Sequence, residues 1–515
     1  MRKYSIIIIL LILNTNSLFA QQDWNWGNYG DSTFIPITVW LQDTYYIEQY
    51  QDAGFNVYQG FWAGIKENQI SDLRAKKMHY ICGWNKTGRE DEPDLLARAN
   101  IDDSLFIAWI HRDEPDNAQS DGQGGYGACI DPQVIIDGYN EIKAFDTTGR
   151  QVVLNCGAGV ARTDAYIRGD ECAGNTDMYT DYYMGADIAS FDIYPVASPP
   201  APMTTNDELW YVPQGVKNMK RWTNNSNDDY WFCLECTDIK GDGKPTPEQI
   251  WIEAWMGIVA GGKGLLWFPF TVYPNVHNSL ALLQDSEMLA AVTKVNRAVH
   301  DAAVVINSEP IDNVVDMELS QSPIFDTPVE YIVKHVDDTL YIFSSGMRDY
   351  GPNTATFTIN TINGSDITSN AIVMYEDREI EILNNQFSQD YDGQSIHLFK
   401  IGGISLDMIV GVKESSPQIV SDFSLEQNYP NPFNPSTTIK YSLPIVETRH
   451  ASSLRNVTLK IFDLLGREMA TLVNEQQKPG NYEIIFDASH LSSGMYFYKL
   501  NTPHYSKIMK MLLLK

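Results

Sequence analysis

From residue 34 onward, short apolar runs alternate with longer stretches whose apolar residues recur at helical spacing. The runs are Phe34–Trp40, Phe55–Phe61, Met78–Cys82, Leu105–Ile110, Gln151–Asn155, Ile188–Tyr194, Tyr230–Glu235 and Gly264–Phe268. Helical character falls between most of them, over Tyr45–Ala53, Glu67–Lys76, Pro93–Ala99, Pro132–Phe145, Glu208–Trp222 and Pro247–Ala260, and Ser286–Asp301 closes the series. Pro132 and Pro247 stand where a first helical turn tolerates proline, because the N–H that proline lacks has no partner there. Strands alternating with helices eight times over about 250–270 residues predict a (β/α)8 TIM barrel. An open doubly wound sheet is the competing arrangement, but no Gly-rich nucleotide fingerprint follows the first strand.

Beyond residue 302 the helical period disappears. Over 303–411, β-rich runs such as Tyr331–His335, Thr339–Ser344 and Ser395–Ile401 are separated by Asp, Asn and Gly turns, which predicts an antiparallel β-sandwich packed on the barrel. Residues 412–422, with Ser415, Ser416 and Pro417, read as a linker. A third β unit occupies 423–515. At the other end, Arg2 and Lys3 precede the apolar run Ile6–Leu13 and then Leu18-Phe19-Ala20, the pattern of a signal peptide over residues 1–20. Its apolar run is far short of the ~20 residues of a membrane helix. No other segment of the mature chain, from residue 21, has that length. The barrel then spans 21–302.

A formal charge of −29 argues against nucleic acid as a partner. Six cysteines in 515 residues are too few for a disulfide framework. Cys82, Cys156 and Cys233 sit in apolar runs as buried thiols, and Cys129 and Cys172 lie in polar loops where a disulfide is allowed outside the cell. Cys233-x-x-Cys236 has redox or zinc-site spacing, but strand alternation sends the two to opposite faces.

The candidate chemistry lies where strands end. Leu105–Ile110 is apolar, then the chain switches to His111, Arg112, Asp113 and Glu114 before Pro115; Tyr230–Glu235 also ends in glutamate. In a barrel of this kind the reactive face is the C-terminal rim of the strands. The residues placed there are Trp40, Trp62, Trp84, His111, Asp113, Glu114, Asn155, Asp192, Tyr194, Glu235 and Trp267. Flat rings with amides and carboxylates suit a carbohydrate, which offers apolar C–H faces and many hydroxyls. For any one tryptophan, core packing is the better explanation; five strand ends carrying an aromatic weaken it for the set. For a single strand-end carboxylate, a salt bridge with a neighbour such as Arg112 competes evenly with catalysis.

Glu114 and Glu235, on strands four and seven, resemble the paired carboxyls of the clan A glycoside hydrolases. That resemblance implies Glu114 as acid/base and Glu235 as nucleophile of a retaining β-glycosidase, whose carboxyls stand roughly 5 Å apart. It also implies Trp267 as a sugar platform and Tyr194 as a group orienting the nucleophile. The clan has Asn before its acid/base; here Asp113 stands there, which accepts where an amide donates. The segment Gln427–Thr438 (QNYPNPFNPSTT), with Ile461–Arg467 (IFDLLGR) and Gly494–Tyr498 (GMYFY), resembles an Ig-like type IX secretion sorting domain. That implies export through the periplasm and an outer-membrane secretion machinery as partner, and a product that is secreted or held at the cell surface.

Other motifs carry less. Asp238–Glu248 lacks the oxygen spacing of an EF-hand. Asp121–Gly127 is glycine-rich without a phosphate-loop lysine, His79 and His111 lack metal-ligand spacing, and no nucleophile elbow is present. No cofactor and no metal are expected. The alternatives to hydrolysis are a non-catalytic glycan-binding surface protein on the same barrel, and a transglycosylase.

Overall fold

The computed structural model describes residues 29–513 apart from short stretches, the longest being 163–175, 198–207, 321–328, 410–423 and 444–454. The expected signal peptide and linker lie outside the described residues. Eight parallel strands close into a barrel: β1 Ile37–Trp40, β2 Val57–Gln59, β3 His79–Gly83, β4 Phe106–Asp113, β5 Gln151–Cys156, β6 Ile188–Phe191, β7 Asp229–Glu235 and β8 Gly264–Phe268. Each strand pairs with its neighbours in sequence, and β8 returns to β1 through Ile37↔Leu265, Thr38↔Leu266 and Val39↔Trp267. Around them lie α1 Ile47–Asp52, α2 Glu67–Lys76, α3 Leu95–Ala99, α4 Pro132–Phe145, α5 Met178–Tyr183, α6 Tyr211–Trp222, α7 Pro247–Val259 and, after a one-turn helix, α8 Ser286–Asp301. The two prolines do open helices: Asp131 caps α4 through the Gln133 amide, and Thr246 with Gln249 forms a capping box on α7.

Alternation along each strand divides the core in two. Trp231 and Cys233 of β7 join an inner cluster with Trp40, Ile81, Ile110, Val153 and Leu266, while Phe232 and Leu234 face the helices. Cys233 and Cys236 fall on different sides of this division, as their spacing requires. Both are free thiols, as are Cys82 and Cys156. Cys129 is disulfide-bonded, and Cys172 lies outside the described residues.

The chain forms two compact units, residues 1–411 and 412–515. Within the first, α8 is followed by one more helix, Ala303–Asn307, before the strands begin at Val315. Lys334 accounts for that extra turn: its buried ammonium donates to the carbonyls of Ile306 (3.0 Å) and Ser308, capping the helix end. A three-stranded antiparallel sheet (Val315–Leu319, Pro352–Ile359, Gln386–Asp392) and a five-stranded one enclose their own core. Phe343, Ile396 and Leu398 of the five-stranded sheet instead enter the outer core of the barrel. The second unit comprises a three-stranded and a four-stranded antiparallel sheet around a core drawn from its own residues, Leu425 to Leu513.

Helix α7 lies so close to β7 that a Cβ at Gly257 would stand 2.3 Å from Phe232 Cζ. Gly257→Ala is expected to cost about 1–3 kcal/mol through overpacking, read as a lowered denaturant midpoint. Gly402→Ala, where a Cβ meets nothing within 4 Å, is the control and is expected to leave the midpoint unchanged.

Candidate active site

The tip of β4 departs from regular pairing. Ile110 opposes Val153, but the next pair is Asp113 with Asn155, so three steps on β4 match two on β5. Such a bulge bends the strand and re-aims the residues beyond it. The first of these is Glu114, whose φ of 44° lies in the left-handed region that costs a non-glycine residue about 1–2 kcal/mol. Three bonds hold it there. Its N–H donates to Asn155 O (2.8 Å), and its carbonyl accepts from Asn117 N (3.1 Å) and Gln119 Nε2 (3.2 Å).

Around Glu114 the rims of β4, β5 and β6 assemble an acidic cluster. Asn155 Nδ2 donates to Asp113 Oδ1 (3.0 Å), and Ser190 Oγ donates to Asn155 Oδ1 (2.8 Å), which fixes the amide with its donor side toward Asp113. Tyr194 donates to Asp192 Oδ2 (3.0 Å). The residue Asp192 is half-buried, yet its Oδ1 is shielded from solvent. Burial first, then the charges of Glu114 and Asp113 and contact with the Glu114 carboxyl, push Asp192 well above the usual carboxylate range. Two carboxyls in contact cannot both ionise cheaply, and the one pushed up here is Asp192. Behind the cluster, Asp116 is pushed up to about 6 by burial, although the Gly157 amide (2.8 Å) and the Tyr179 hydroxyl (2.9 Å) both donate to it. It ties the loop after β4 to the loop after β5.

Glu235 stands elsewhere. It is 0% exposed, and its two oxygens accept from the backbone amides of Val196 (2.7 Å) and Ala197 (2.5 Å), just past Asp192 and Tyr194. Its side chain also meets Glu253 of α7, another fully buried carboxyl. Burial pushes Glu235 up to about 7, against the pull of the two amides, and burial and the Glu235 charge push Glu253 well above the usual carboxylate range. The sequence-based expectation is Glu235 as nucleophile; in this structure its two oxygens are held by backbone amides, and it anchors the segment after β6.

Three further rim residues face the helices. Trp267 is fully buried and donates through Nε1 to Asn296 Oδ1 of α8 (2.9 Å). Trp84 lies under the Arg98 guanidinium (3.3 Å to the ring centre) and edge-on to Trp109 and Phe145. His111 packs on α4 at Gly138, where its ring fills the space of a missing side chain; burial first and Arg112 second lower it to about 4 and keep it neutral. None of the three presents to the mouth, because each has the parity of the outer core. Trp40 belongs to the inner cluster, and Trp62 is 65% exposed. Ser190 and Phe268, which have inner-facing parity, escaped the sequence reading; Phe268 packs on Tyr194 at 5.2 Å. Among the described residues no group of three or more His, Cys, Asp or Glu is placed to hold a metal.

Fold and site together define an exported (β/α)8 barrel protein with a contacting carboxyl pair, Glu114 and Asp192, at its C-terminal rim. Residues 427–515 match the family model described as a secretion system C-terminal sorting domain, so the chain carries a type IX sorting signal and is secreted to the cell surface or beyond. No helix of the described residues is long and apolar enough to cross a membrane. No curated protein matches the chain. Among solved structures it is similar to a GH30 endoxylanase from Clostridium papyrosolvens C71, at 12% identity and a TM-score of 0.36, over 72% of this chain and 96% of that one. It is also similar to an isomaltulose synthase from Klebsiella sp. LX3, at 9% identity and a TM-score of 0.36, over 72% of this chain and all (100%) of that one. An Anoxybacillus alpha-amylase aligns at 8% identity and a TM-score of 0.34, over 70% of this chain and 90% of that one.

Glu114→Gly relieves the left-handed strain, so the folded state is expected to be as stable as wild type or more so by about 1 kcal/mol in denaturant titration. A pH dependence arises from the buried glutamates. The folded pKa of Glu235 lies above its unfolded value of 4.5, so its stabilising share is complete below that value and is lost as pH rises through about 7. Stability is thus expected to fall between about pH 4.5 and 7. Glu253→Gln removes one of the two buried titrating carboxyls, and its share of the slope is expected to disappear while that of Glu235 remains.

Proposed function

We propose that the barrel hydrolyses glycosidic bonds in an extracellular polysaccharide or oligosaccharide. The observation that carries the proposal is the Glu114–Asp192 pair at the barrel mouth, with Glu114 held in a strained conformation. Backbone strain kept by three hydrogen bonds is a mark of a site built for position rather than stability. Glycosidic cleavage requires a carboxylic acid that retains its proton near neutral pH until the leaving oxygen needs it. Asp192, kept protonated by burial and by the charges of Glu114 and Asp113, hands that proton through its contact with the Glu114 carboxyl to the leaving oxygen, with Tyr194 as donor to Asp192. Asp113, exposed at the same rim and bonded to Asn155, is the carboxylate placed to draw a proton from the attacking water. Trp40 and Trp62 offer rings to the sugar faces. The β-linkage and the double displacement expected from the sequence would require Glu235 to leave the Val196 and Ala197 amides and meet the substrate.

The enclosure of Glu235 favours one other reading, a barrel that binds glycan without cleaving it. Reducing-sugar release by the full chain from a panel of polysaccharides separates the two. Wild-type release is expected, with kcat lowered about 10²–10⁴-fold in Glu114→Gln, the range for losing a general acid. Asp192→Asn is expected to shift the acid limb of the pH–rate profile as well as lower the rate. Release untouched by Glu114→Gln would sink the assignment, and binding without release from any polysaccharide would select the second reading.

A further inference from the structure

We propose that the cleft between α7, α8 and the five-stranded sheet is a second saccharide site, holding a stretch of the polymer away from the mouth; the proposal rests on the carbohydrate reading above. The cleft measures about 690 Å³, within the size of small-ligand sites. One wall is aromatic: Trp251 of α7 and Tyr375 of the sheet meet edge to face at 5.5 Å. Tyr375 has a φ of 65°, an outlier for a bulky side chain, and its hydroxyl is tethered to Ala298 O (3.1 Å). The chain therefore keeps that ring on the cleft wall at a backbone cost.

The polar groups select the ligand. Glu376 is fixed by His397 Nδ1 (2.5 Å) and the Arg378 guanidinium (2.6 Å), so its acceptor oxygens are oriented in advance. Gln394 Nε2 and Ser395 Oγ are shielded from solvent and have no partner within the protein, although both residues line the cleft. An apolar ligand would leave these donors unmet. An anion would meet Glu248, Glu287 and Glu376, and a cation would meet Lys294, which already lies 4.8 Å from the centre of the Trp251 ring. A neutral polyhydroxyl chain satisfies all of them: its C–H faces lie on the rings, its hydroxyls accept from Gln394 and donate to Glu376.

Affinity electrophoresis of the full chain tests the site, in gels containing xylan, mixed-linkage β-glucan, laminarin or amylopectin. The wild type is expected to be retarded by the polysaccharide it cleaves, and Trp251→Ala to weaken that retardation roughly tenfold through lost ring contact. Cleavage of a short oligosaccharide by Trp251→Ala should change less than about twofold, because the mouth is intact. Gln394→Ala, a substitution at the cleft wall, is expected to weaken retardation in the same direction and covers the case in which Trp251→Ala fails to fold. Retardation equal to wild type in both variants overturns the site. So does cleavage of a polysaccharide that retards nothing, which leaves the hydrolase reading standing; neither cleavage nor retardation across the panel overturns both.

Discussion

A strand in a closed barrel has two faces, one toward the axis and one toward the helices, and every side chain is committed to one of them. That constraint decides what this protein can bring to its mouth. On β8, Leu266 faces inward and Trp267 outward; on β4, Ile110 faces inward and His111 outward. The bulge between Ile110 and Asp113 is the local exception. By inserting one extra residue it resets the parity at the strand tip, and only then can Asp113, Glu114 and Asn155 be gathered beside β6.

The mouth is also a place where carboxyls are enclosed more often than they are paired with bases. Asp192 meets Glu114, Asp116 meets a backbone amide and a tyrosine, and Glu235 meets two amides and Glu253. Each solves desolvation with a proton or an N–H rather than with a lysine or arginine. The arrangement raises the pH at which these carboxyls give up their protons. It also ties the site to the loops: Asp116 and Glu235 act on backbone, so the groups that shape the mouth are held from beneath.

Much of this was legible in the chain. The eight apolar runs are the eight barrel strands in order, and the carboxylates Asp113, Glu114 and Asp192 do converge. Trp84, His111 and Trp267 were misplaced because polarity and aromaticity were weighed without parity, although the inward neighbours Ile110 and Leu266 carried the signal. Glu235 was misplaced for a different reason: its environment depends on Glu253, a partner on another element. The signal there was a single carboxylate on the otherwise apolar face Ile250, Ala254, Gly257 of α7. Nothing local announces which strand end such a residue will meet, since a helix slides and rotates against its sheet by packing that sequence spacing does not contain.

Phe343, Ile396 and Leu398 sit in the barrel's outer core, and Lys334 closes the helix that ends the barrel. The sandwich thereby supplies walls that the barrel lacks. Severed after residue 308, the barrel would expose apolar surface on α7 and leave the carbonyls of Ile306 and Ser308 without the Lys334 ammonium. Barrel and sandwich are thus one heritable cassette, gained or lost together in gene fusion. The sorting unit, whose core is its own, is a label that recombination can attach to other cargo.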